Sequence, residues 1–341
     1  MVQSLNLIVC GLLAFMLSSP SSLDLEVSFQ ALSSTESPSL NILAFGDVML
    51  SRHVRVLMDE QGKEYLFENL DLSELQKGMD IVHANLEGPI HGEGTKGGTS
   101  MIFSFNQDVA PFLKEKGFNL LSIANNHALD QGWAAHDETI EVLEENSIDW
   151  CGHPSEPEKE SVHYGESPTG MTYAFACFQD ITHKLDLEKA KVMLSQVDPK
   201  VDLLIVSVHW GYEYKALNNA RQQEMAHGFI DSGADLVIGH HPHVVQNLEV
   251  YKGVPIFYSL GNFVFDQYWS KETQEGLAIR LKLTSDEYFI ELFPMKSERA
   301  QSRLMNEEER GVWVENYFLK HGNYDETMQE MIRNFRMTIE R

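Results

Sequence analysis

The sequence predicts an α/β fold in which short buried strands alternate with helices. Six short apolar runs occur between residues 42 and 260, and they lack the polar alternation of strands that face water on one side. Several of the segments between these runs have the spacing of amphipathic helices. A compact polar signature follows each run. Alternating strands and helices of this kind build a sheet covered by helices on both faces.

The predicted elements follow one another along the chain. The predicted strands are residues 42–45, 80–82, 119–124, 203–208, 236–238 and 256–260. The predicted helices are residues 109–116, 134–146, 186–197 and 220–232. Gly117 and Gly233 stand where a glycine commonly ends a helix. The polar, glycine-rich gap at residues 88–108 is predicted to be a loop near the functional site.

The chain divides into three predicted regions. Residues 1–40 are an apolar segment and a serine-rich linker, residues 41–295 the main domain, and residues 296–341 a charged helical C-terminal appendage. The apolar run at residues 7–17 has the length of a signal-peptide core, but no Lys or Arg precedes Arg52. Two locations therefore stay open. The protein is extracytoplasmic or membrane-associated if residues 1–20 act as a signal, and cytoplasmic otherwise.

The charge balance excludes some classes of partner. The chain has 51 acidic and 26 basic residues, a formal net charge of −25. We expect no binding to nucleic acid or to an anionic membrane surface, because both require clusters of Lys and Arg. The three cysteines, Cys10, Cys151 and Cys177, are too few for a disulfide framework or a cysteine zinc site. A single Cys151–Cys177 bridge is permitted, but nothing in the sequence supports it.

Residues able to bind metal follow the predicted strands. Ligands bind beyond the carboxyl ends of the strands in open α/β sheets, where the connecting loops converge. Imidazole nitrogen with carboxylate and amide oxygen suits Mn, Fe or Zn, so one or two such divalent ions are predicted. The candidate ligands are Asp47, Glu87, Asn126, His209, His241 and His243.

Each candidate has a structural explanation when it is taken alone. Asp47 and Asn126 are typical of caps and turns. A single histidine such as His209 is more often a hydrogen-bonded structural residue, and His240 could point away from the site and hold its loop. Because five such signatures follow buried strands in succession, we favour a shared metal site over a set of structural coincidences.

The ordered motifs resemble one known family. They are residues 46–50 (GDVML), 84–87 (ANLE), 124–132 (ANNHALDQG), 208–213 (VHWGYE), 239–246 (GHHPHVVQ) and 258–266 (YSLGNFVFD). This set is similar to the CapA capsule-synthesis family, the poly-γ-glutamate branch of the calcineurin-like metallophosphoesterase superfamily, over residues 41–267. The resemblance implies a four-layer sandwich of two sheets flanked by helices. It also implies a role in making, exporting or trimming an anionic polymer of γ-linked glutamate.

The resemblance also implies roles for single residues. Asp47 resembles the first metal-binding aspartate, Glu87 the bridging acid and Asn126 the ligand asparagine. His209, His241 and His243 resemble the later histidine ligands. His127 resembles the histidine that contacts the leaving group, and is the candidate catalytic residue. Three positions depart from the superfamily pattern: Met49 replaces a histidine, Glu87 an aspartate, and Ala128 a common acid.

Three functions remain as alternatives. The first is a metal-dependent protein that makes, exports or trims a capsule polymer of γ-linked glutamate, and that is a hydrolase acting on a chain end if two metal ions bind. Two metal ions would generate a nucleophile at neutral pH and polarise the attacked group, and His127 would protonate the leaving group. The second is a non-enzymatic assembly or export subunit that works with capsule-synthesis membrane proteins. The third is a phosphoesterase that acts on small phosphoesters.

Overall fold

A computed structural model describes residues 37–95, 97–99 and 101–341. Residues 38–341 form one compact unit. The apolar run at residues 7–17 and most of the serine-rich linker lie outside the described residues.

Fifteen strands and eight α-helices are labelled here in chain order, from the described part of the chain. The strands are β1 (Leu40–Val48), β2 (Ile81–Leu86), β3 (Leu120–Ser122), β4 (Asp149–Cys151), β5 (Val162–Glu166), β6 (Thr172–Gln179), β7 (Leu203–His209), β8 (Leu236–His240), β9 (Leu248–Tyr251), β10 (Val254–Phe257), β11 (Asn262–Val264), β12 (Glu275–Leu283), β13 (Glu287–Glu298), β14 (Gln301–Leu304) and β15 (Arg336–Glu340). The helices are α1 (Arg52–Gln61), α2 (Leu72–Leu75), α3 (Val109–Glu115), α4 (Trp133–Glu145), α5 (Leu187–Val197), α6 (Ala220–Ile230), α7 (Glu307–Trp313) and α8 (Glu326–Arg333).

The strands form two sheets. The nine-stranded sheet has the order β14-β13-β12-β1-β2-β3-β4, with β11 also paired to β1 and β15 to β13. Strands β1 to β4 are parallel, whereas β12 to β15 are antiparallel. The six-stranded sheet has the order β5-β6-β7-β8-β10-β9. Its four inner strands are parallel, and β5 and β9 add antiparallel edges.

Apolar side chains fill three layers, one between the sheets and one outside each of them. Successive residues of a strand point to opposite faces. Phe175 of β6 therefore packs against the nine-stranded sheet with Ile42, whereas Phe178 packs outward with Phe229 of α6. On the other side of the molecule, Phe45 of β1 packs with side chains of α1 and α3. Two sheets flanked by helices give the four layers that were predicted, and the α/β fold class is confirmed.

The C-terminal segment differs from the predicted helical appendage. It contains α7 and α8, but β14 and β15 join the nine-stranded sheet within the same compact unit. Trp313, Ile332 and Met337 lie in the layer between the two sheets. The difference arises at residues 336–340, where exposed and buried side chains alternate with the two-residue period of a strand. The sequence interpretation followed only the helical spacing that precedes them.

A disulfide joins the two sheets. Cys151 at the end of β4 is bonded to Cys177 of β6, with 5.4 Å between their Cα atoms. Both side chains belong to the apolar layer between the sheets. No helix in the described residues has the length and apolar character needed to cross a membrane.

Candidate metal centre

The candidate ligands converge because both sheets present the carboxyl ends of parallel strands at the same place. From the nine-stranded sheet, Asp47 lies near the end of β1 and Glu87 directly follows β2. From the six-stranded sheet, His209 ends β7 and His241 follows β8. All four side chains are buried. The centre therefore lies on the boundary between the sheets.

One group of possible ligands comprises Glu87, His209 and His241. One donor atom from each lies within 4.8 Å of the other two. His209 Nε2 lies 4.0 Å from Glu87 Oε1 and 3.0 Å from His241 Nδ1. The side-chain oxygen of Asn126 approaches the same His209 nitrogen at 2.6 Å. Asn126 is thus in place to contribute a neutral oxygen beside this group.

A second group comprises Asp47, Glu87 and His243, and it meets the same 4.8 Å criterion. His243 contacts both acids, with Nδ1 3.4 Å from Asp47 Oδ2 and Nε2 3.6 Å from Glu87 Oε1. Glu87 is common to both groups. Its carboxylate could therefore contact a cation held by either group.

The environment of Glu87 indicates whether these residues fit a metal ion. Its carboxylate is fully buried, and in the described part of the chain neither oxygen has a hydrogen-bond partner. Burying an ionised carboxylate without partners is costly unless a cation compensates it. The surrounding nitrogen and oxygen donors suit a divalent transition metal. The residues present therefore fit a metal, as the two groups indicate.

The acids and histidines of the centre shift one another's pKa values. Burial, with the neighbouring Asp47, raises the pKa of Glu87 well above its usual range. Burial alone would also raise the pKa of Asp47, but the Nδ1 atoms of His240 and His243, each 3.4 Å from one of its oxygens, hold that pKa well below the usual range. Burial would lower the pKa of His243, but Glu87 and Asp47 raise it to about 9.

The other two histidines of the ligand groups, His209 and His241, stay neutral. Burial and the nearby His243 lower the pKa of His241 to about 3, and burial with the nearby His241 lowers the pKa of His209 well below its usual value. A neutral imidazole keeps the lone pair that binds a metal. His209 and His241 are therefore in the protonation state that ligation requires.

Amide side chains around the ligands fix their orientation. Asn85 donates from Nδ2 to Asp47 Oδ1 at 2.8 Å, and the same nitrogen lies 3.1 Å from His209 Nδ1. Asn125 Nδ2 donates to Asn85 Oδ1 at 3.2 Å. His243 Nδ1 lies 3.0 Å from Asn262 Oδ1. Such supporting contacts set which ring nitrogen faces a metal.

His127 lies at the edge of the centre, between Asp130 and Glu87. Its Nδ1 lies 2.7 Å from Asp130 Oδ2, and its Nε2 lies 3.9 Å from Glu87 Oε1. The Phe103 ring stacks on the imidazole with 4.0 Å between centroids, and the Phe103 backbone N–H donates to the same Asp130 oxygen at 2.6 Å. Phe103, in the loop at residues 88–108, therefore lies beside the site, as predicted for this loop.

Met49 has a different role from the candidate ligands. Its side chain is fully buried, and its sulfur accepts hydrogen bonds from Ser51 N at 3.2 Å and Ser51 Oγ at 3.1 Å. The thioether is also part of the apolar layer outside the nine-stranded sheet. Met49, at the position where the resemblance implied a histidine, therefore packs in the core and is not a candidate ligand.

All seven predicted site residues come together, and the structure adds others that the sequence interpretation missed. Glu213 lies near His241 and His243. Asp130 and Asn85 were inside quoted motifs, but their roles depend on which neighbour their side chains meet. His240 does not point away, since its Nδ1 lies 3.4 Å from Asp47 Oδ1. The spacing of residues within the motifs does not show that these residues, and not their neighbours, reach the site.

Comparison with known protein families gives one strong match. Residues 41–267 match the model of the family described as "Bacterial capsule synthesis protein PGA_cap". These residues include the whole candidate metal centre.

Individual proteins are also similar. A protein named "Capsule biosynthesis protein CapA" from Bacillus anthracis is 34% identical over 263 residues, which cover 71% of this chain and 64% of that protein. A protein named "PGA biosynthesis protein CapA" from Bacillus subtilis (strain 168) is 32% identical over 249 residues, which cover 68% of this chain and 65% of that protein. The chain thus matches slightly less than two thirds of the length of both relatives.

A solved structure, that of TT1561 from Thermus thermophilus, overlaps with a TM-score of 0.41 and 12% sequence identity. The overlap covers 72% of this chain and 99% of that chain.

Proposed function

This chain belongs to the PGA_cap family of bacterial capsule synthesis proteins, and on that premise we propose that it is a metal-dependent hydrolase acting on the end of an anionic capsule polymer of γ-linked glutamate. Two relatives support this choice of polymer, since one is named a capsule biosynthesis protein and the other a PGA biosynthesis protein. The buried centre supplies the hydrolytic chemistry. In this proposal the protein trims or releases chains during their synthesis or export.

Glu87 is the observation that carries the hydrolase proposal. A carboxylate that is buried and has both oxygens without hydrogen-bond partners among the described residues is destabilising by itself. Nitrogen atoms of three histidines, His127, His209 and His243, nonetheless lie 3.6–4.0 Å from Glu87 Oε1, and Glu87 is common to both ligand groups. A bound cation would compensate the charge of an ionised Glu87 in this position.

We assign two metal positions to the two groups. Glu87, His209 and His241, with Asn126 beside them, would hold one ion, and Asp47, Glu87 and His243 would hold the other. The mixture of nitrogen and oxygen donors favours Mn, Fe or Zn. Bound there, such ions would polarise the attacked carbonyl or phosphoryl oxygen and make a water molecule acidic enough to act near neutral pH.

The chain itself supplies the acid. Asp130 accepts a hydrogen bond from His127 Nδ1, which leaves Nε2 directed toward the centre, and in the imidazolium form this nitrogen carries the proton to be donated. An imidazole held in this way can donate a proton to a leaving amine or alkoxide. The stacked ring of Phe103 covers one face of the imidazole and excludes water from it.

The net charge favours capture of a chain end over binding along the polymer. At −25 the protein repels a polyanion over distances near the Debye length, about 8 Å at physiological salt. A terminal residue, by contrast, could reach cations held at Glu87. We therefore propose cleavage from an end.

We further propose that the protein works outside the cytoplasm. The Cys151–Cys177 disulfide supports this location, because structural disulfides form and persist in oxidising compartments. An extracytoplasmic position also suits contact with a surface polymer and with membrane proteins of capsule synthesis.

The test combines metal analysis with a substrate panel. The purified protein should retain a divalent transition metal through dialysis and should hydrolyse γ-glutamyl oligomers from one end. A Glu87→Gln variant should lose both properties, whereas Glu188→Gln, an exposed acid of α5 paired with Lys191, should keep them.

Other outcomes select the alternatives. Turnover of nitrophenyl phosphates but not of γ-glutamyl oligomers would indicate a small-substrate phosphoesterase. Normal polymer output in cells carrying the metal-free variant would overturn the hydrolase proposal and indicate an assembly or export subunit.

A further inference from the structure

Glu213 lies against the centre but belongs to neither of the two assigned positions. It follows β7 on the loop that begins at Trp210. One of its carboxylate oxygens and one ring nitrogen each from His241 and His243 lie within 4.8 Å of one another. Glu213 is partly exposed, whereas both histidines are buried. Its carboxylate therefore approaches the histidines from the open side of the centre.

Backbone hydrogen bonds hold Glu213 in this place. Trp210 N donates to His240 O at 3.1 Å, and Tyr214 N donates to Pro242 O at 2.8 Å. These two bonds join the Glu213 loop to the histidine loop on both sides of the carboxylate. The position of Glu213 opposite His241 and His243 thus follows from the backbone and does not depend on its own rotamer alone.

Two glutamine side chains, Gln222 of α6 and Gln246, also support the Glu213 loop. Gly211 has a φ of 90°, and a Cβ atom there would lie 2.7 Å from the side chain of Gln222. Gln222 Nε2 donates to Gln246 Oε1 at 2.8 Å, and Gln246 Nε2 in turn donates to Lys215 O at 2.8 Å. A rigid support of this kind is what a ligand needs to hold its geometry.

The second metal position has room for another donor. Asp47, Glu87 and His243 supply three side chains, and the Met49 sulfur is occupied by Ser51. Mn, Fe and Zn take at least four donors, often including water. A carboxylate next to His243 would meet this need and add negative charge beside a divalent ion.

We propose that Glu213 is a metal ligand that completes the position held by His243. This inference rests on the proposed metal centre and deepens it. Glu213, on the loop after β7, would supply a ligand to the position held by His243. The centre would then have the further ligand that Met49 does not supply.

The experiment compares Glu213→Gln with the parent protein and with Glu188→Gln as the exposed control. Each protein is stripped with chelator, titrated with Mn²⁺ by calorimetry, and loaded with Co²⁺ for visible absorption, which reports the number and geometry of the ligands. Circular dichroism and thermal unfolding establish that each variant is folded. Glu213→Asp, which keeps the carboxylate, serves as a second variant.

The expected result is loss of one site in Glu213→Gln, or weakening of that site beyond the 10–100-fold typical of losing a residue that only supports a ligand. The Co²⁺ spectrum should change, Glu213→Asp should restore part of the affinity, and Glu188→Gln should match the parent.

Two results would overturn the inference. A Glu213→Gln protein with the metal content, affinity and Co²⁺ spectrum of the parent would remove Glu213 from the ligand set while leaving the proposed centre intact. A parent protein that binds neither ion would remove the centre itself, and the proposed function with it.

Discussion

Replacing His127 with glutamine tests the general acid directly. Glutamine keeps a hydrogen-bond donor of similar size but cannot transfer a proton. His127 lies 3.9 Å from Glu87, and its Nδ1 is engaged with Asp130. We therefore expect His127→Gln to keep the metal content of the parent and to lose turnover.

The proposed role as general acid sets the expected loss of turnover in His127→Gln. Loss of a general acid typically lowers the rate by about 10²–10⁴-fold, which corresponds to roughly 2.7–5.5 kcal/mol of transition-state stabilisation. The loss should depend on the leaving group. An amine or alkoxide needs a proton as it departs, whereas a nitrophenolate does not, so the penalty should nearly vanish for nitrophenyl substrates.

The assay measures kcat/KM for parent and variant against substrates with good and poor leaving groups, together with metal content. Asp130→Asn is the matched variant, because it disturbs the orientation of His127 while keeping the imidazole; it should show a smaller loss with the same dependence on leaving group. Equal losses for good and poor leaving groups would refute the acid role. Loss of metal in His127→Gln would make the residue a ligand instead.

Three further predictions concern metal, disulfide and pH. Replacing His241 and His243 together with alanine should abolish metal retention in elemental analysis without changing the circular dichroism; stoichiometric metal in that protein would refute the assignment. Replacing Cys151 and Cys177 with serine should lower the free energy of unfolding by about 3 kcal/mol in denaturant titration, given a bridge across 26 residues; unchanged stability would show that the bridge does not constrain the unfolded chain. Burial lowers the pKa of His83 to about 3, so its contribution to stability is complete above about pH 6.5 and is lost as the pH falls toward 3, by up to about 4–5 kcal/mol. His83→Gln should flatten this part of the stability–pH curve, and a curve parallel to that of the parent would contradict the reasoning.

The fold was largely predictable where burial is continuous. Strands β1, β7 and β8 are buried along almost their whole length, so an uninterrupted apolar run identifies them. Edge strands such as β5 and β15 carry mixed exposure over few residues. Short segments of this kind have no distinctive local pattern, and what stabilises them is the neighbouring strand they pair with.

The clustering of the candidate ligands was predictable, whereas the residues that contact them were less so. The metal-binding types, carboxylate and imidazole, directly follow buried strands, and parallel strands bring their carboxyl ends together. Glu213 and Asp130 lie in loops instead. Their roles arise from contacts that the loops make, Glu213 with the histidine loop and Asp130 with His127. Such contacts depend on loop conformation, which local sequence does not determine.

Under the proposed function, the position of the centre on the boundary between the sheets would link folding with metal binding. The nine-stranded sheet supplies Asp47 and Glu87, and the six-stranded sheet supplies the histidines, so each assigned metal position needs both sheets in register. Beneath the centre, His83 of β2 lies 3.0 Å from the hydroxyl of Ser207 on β7, a second polar contact between the sheets. An ion that binds only the docked sheets must stabilise them, and by more the tighter it binds. Under the proposed function, the cost of burying an ionised Glu87 would be offset when folding and metal binding occur together.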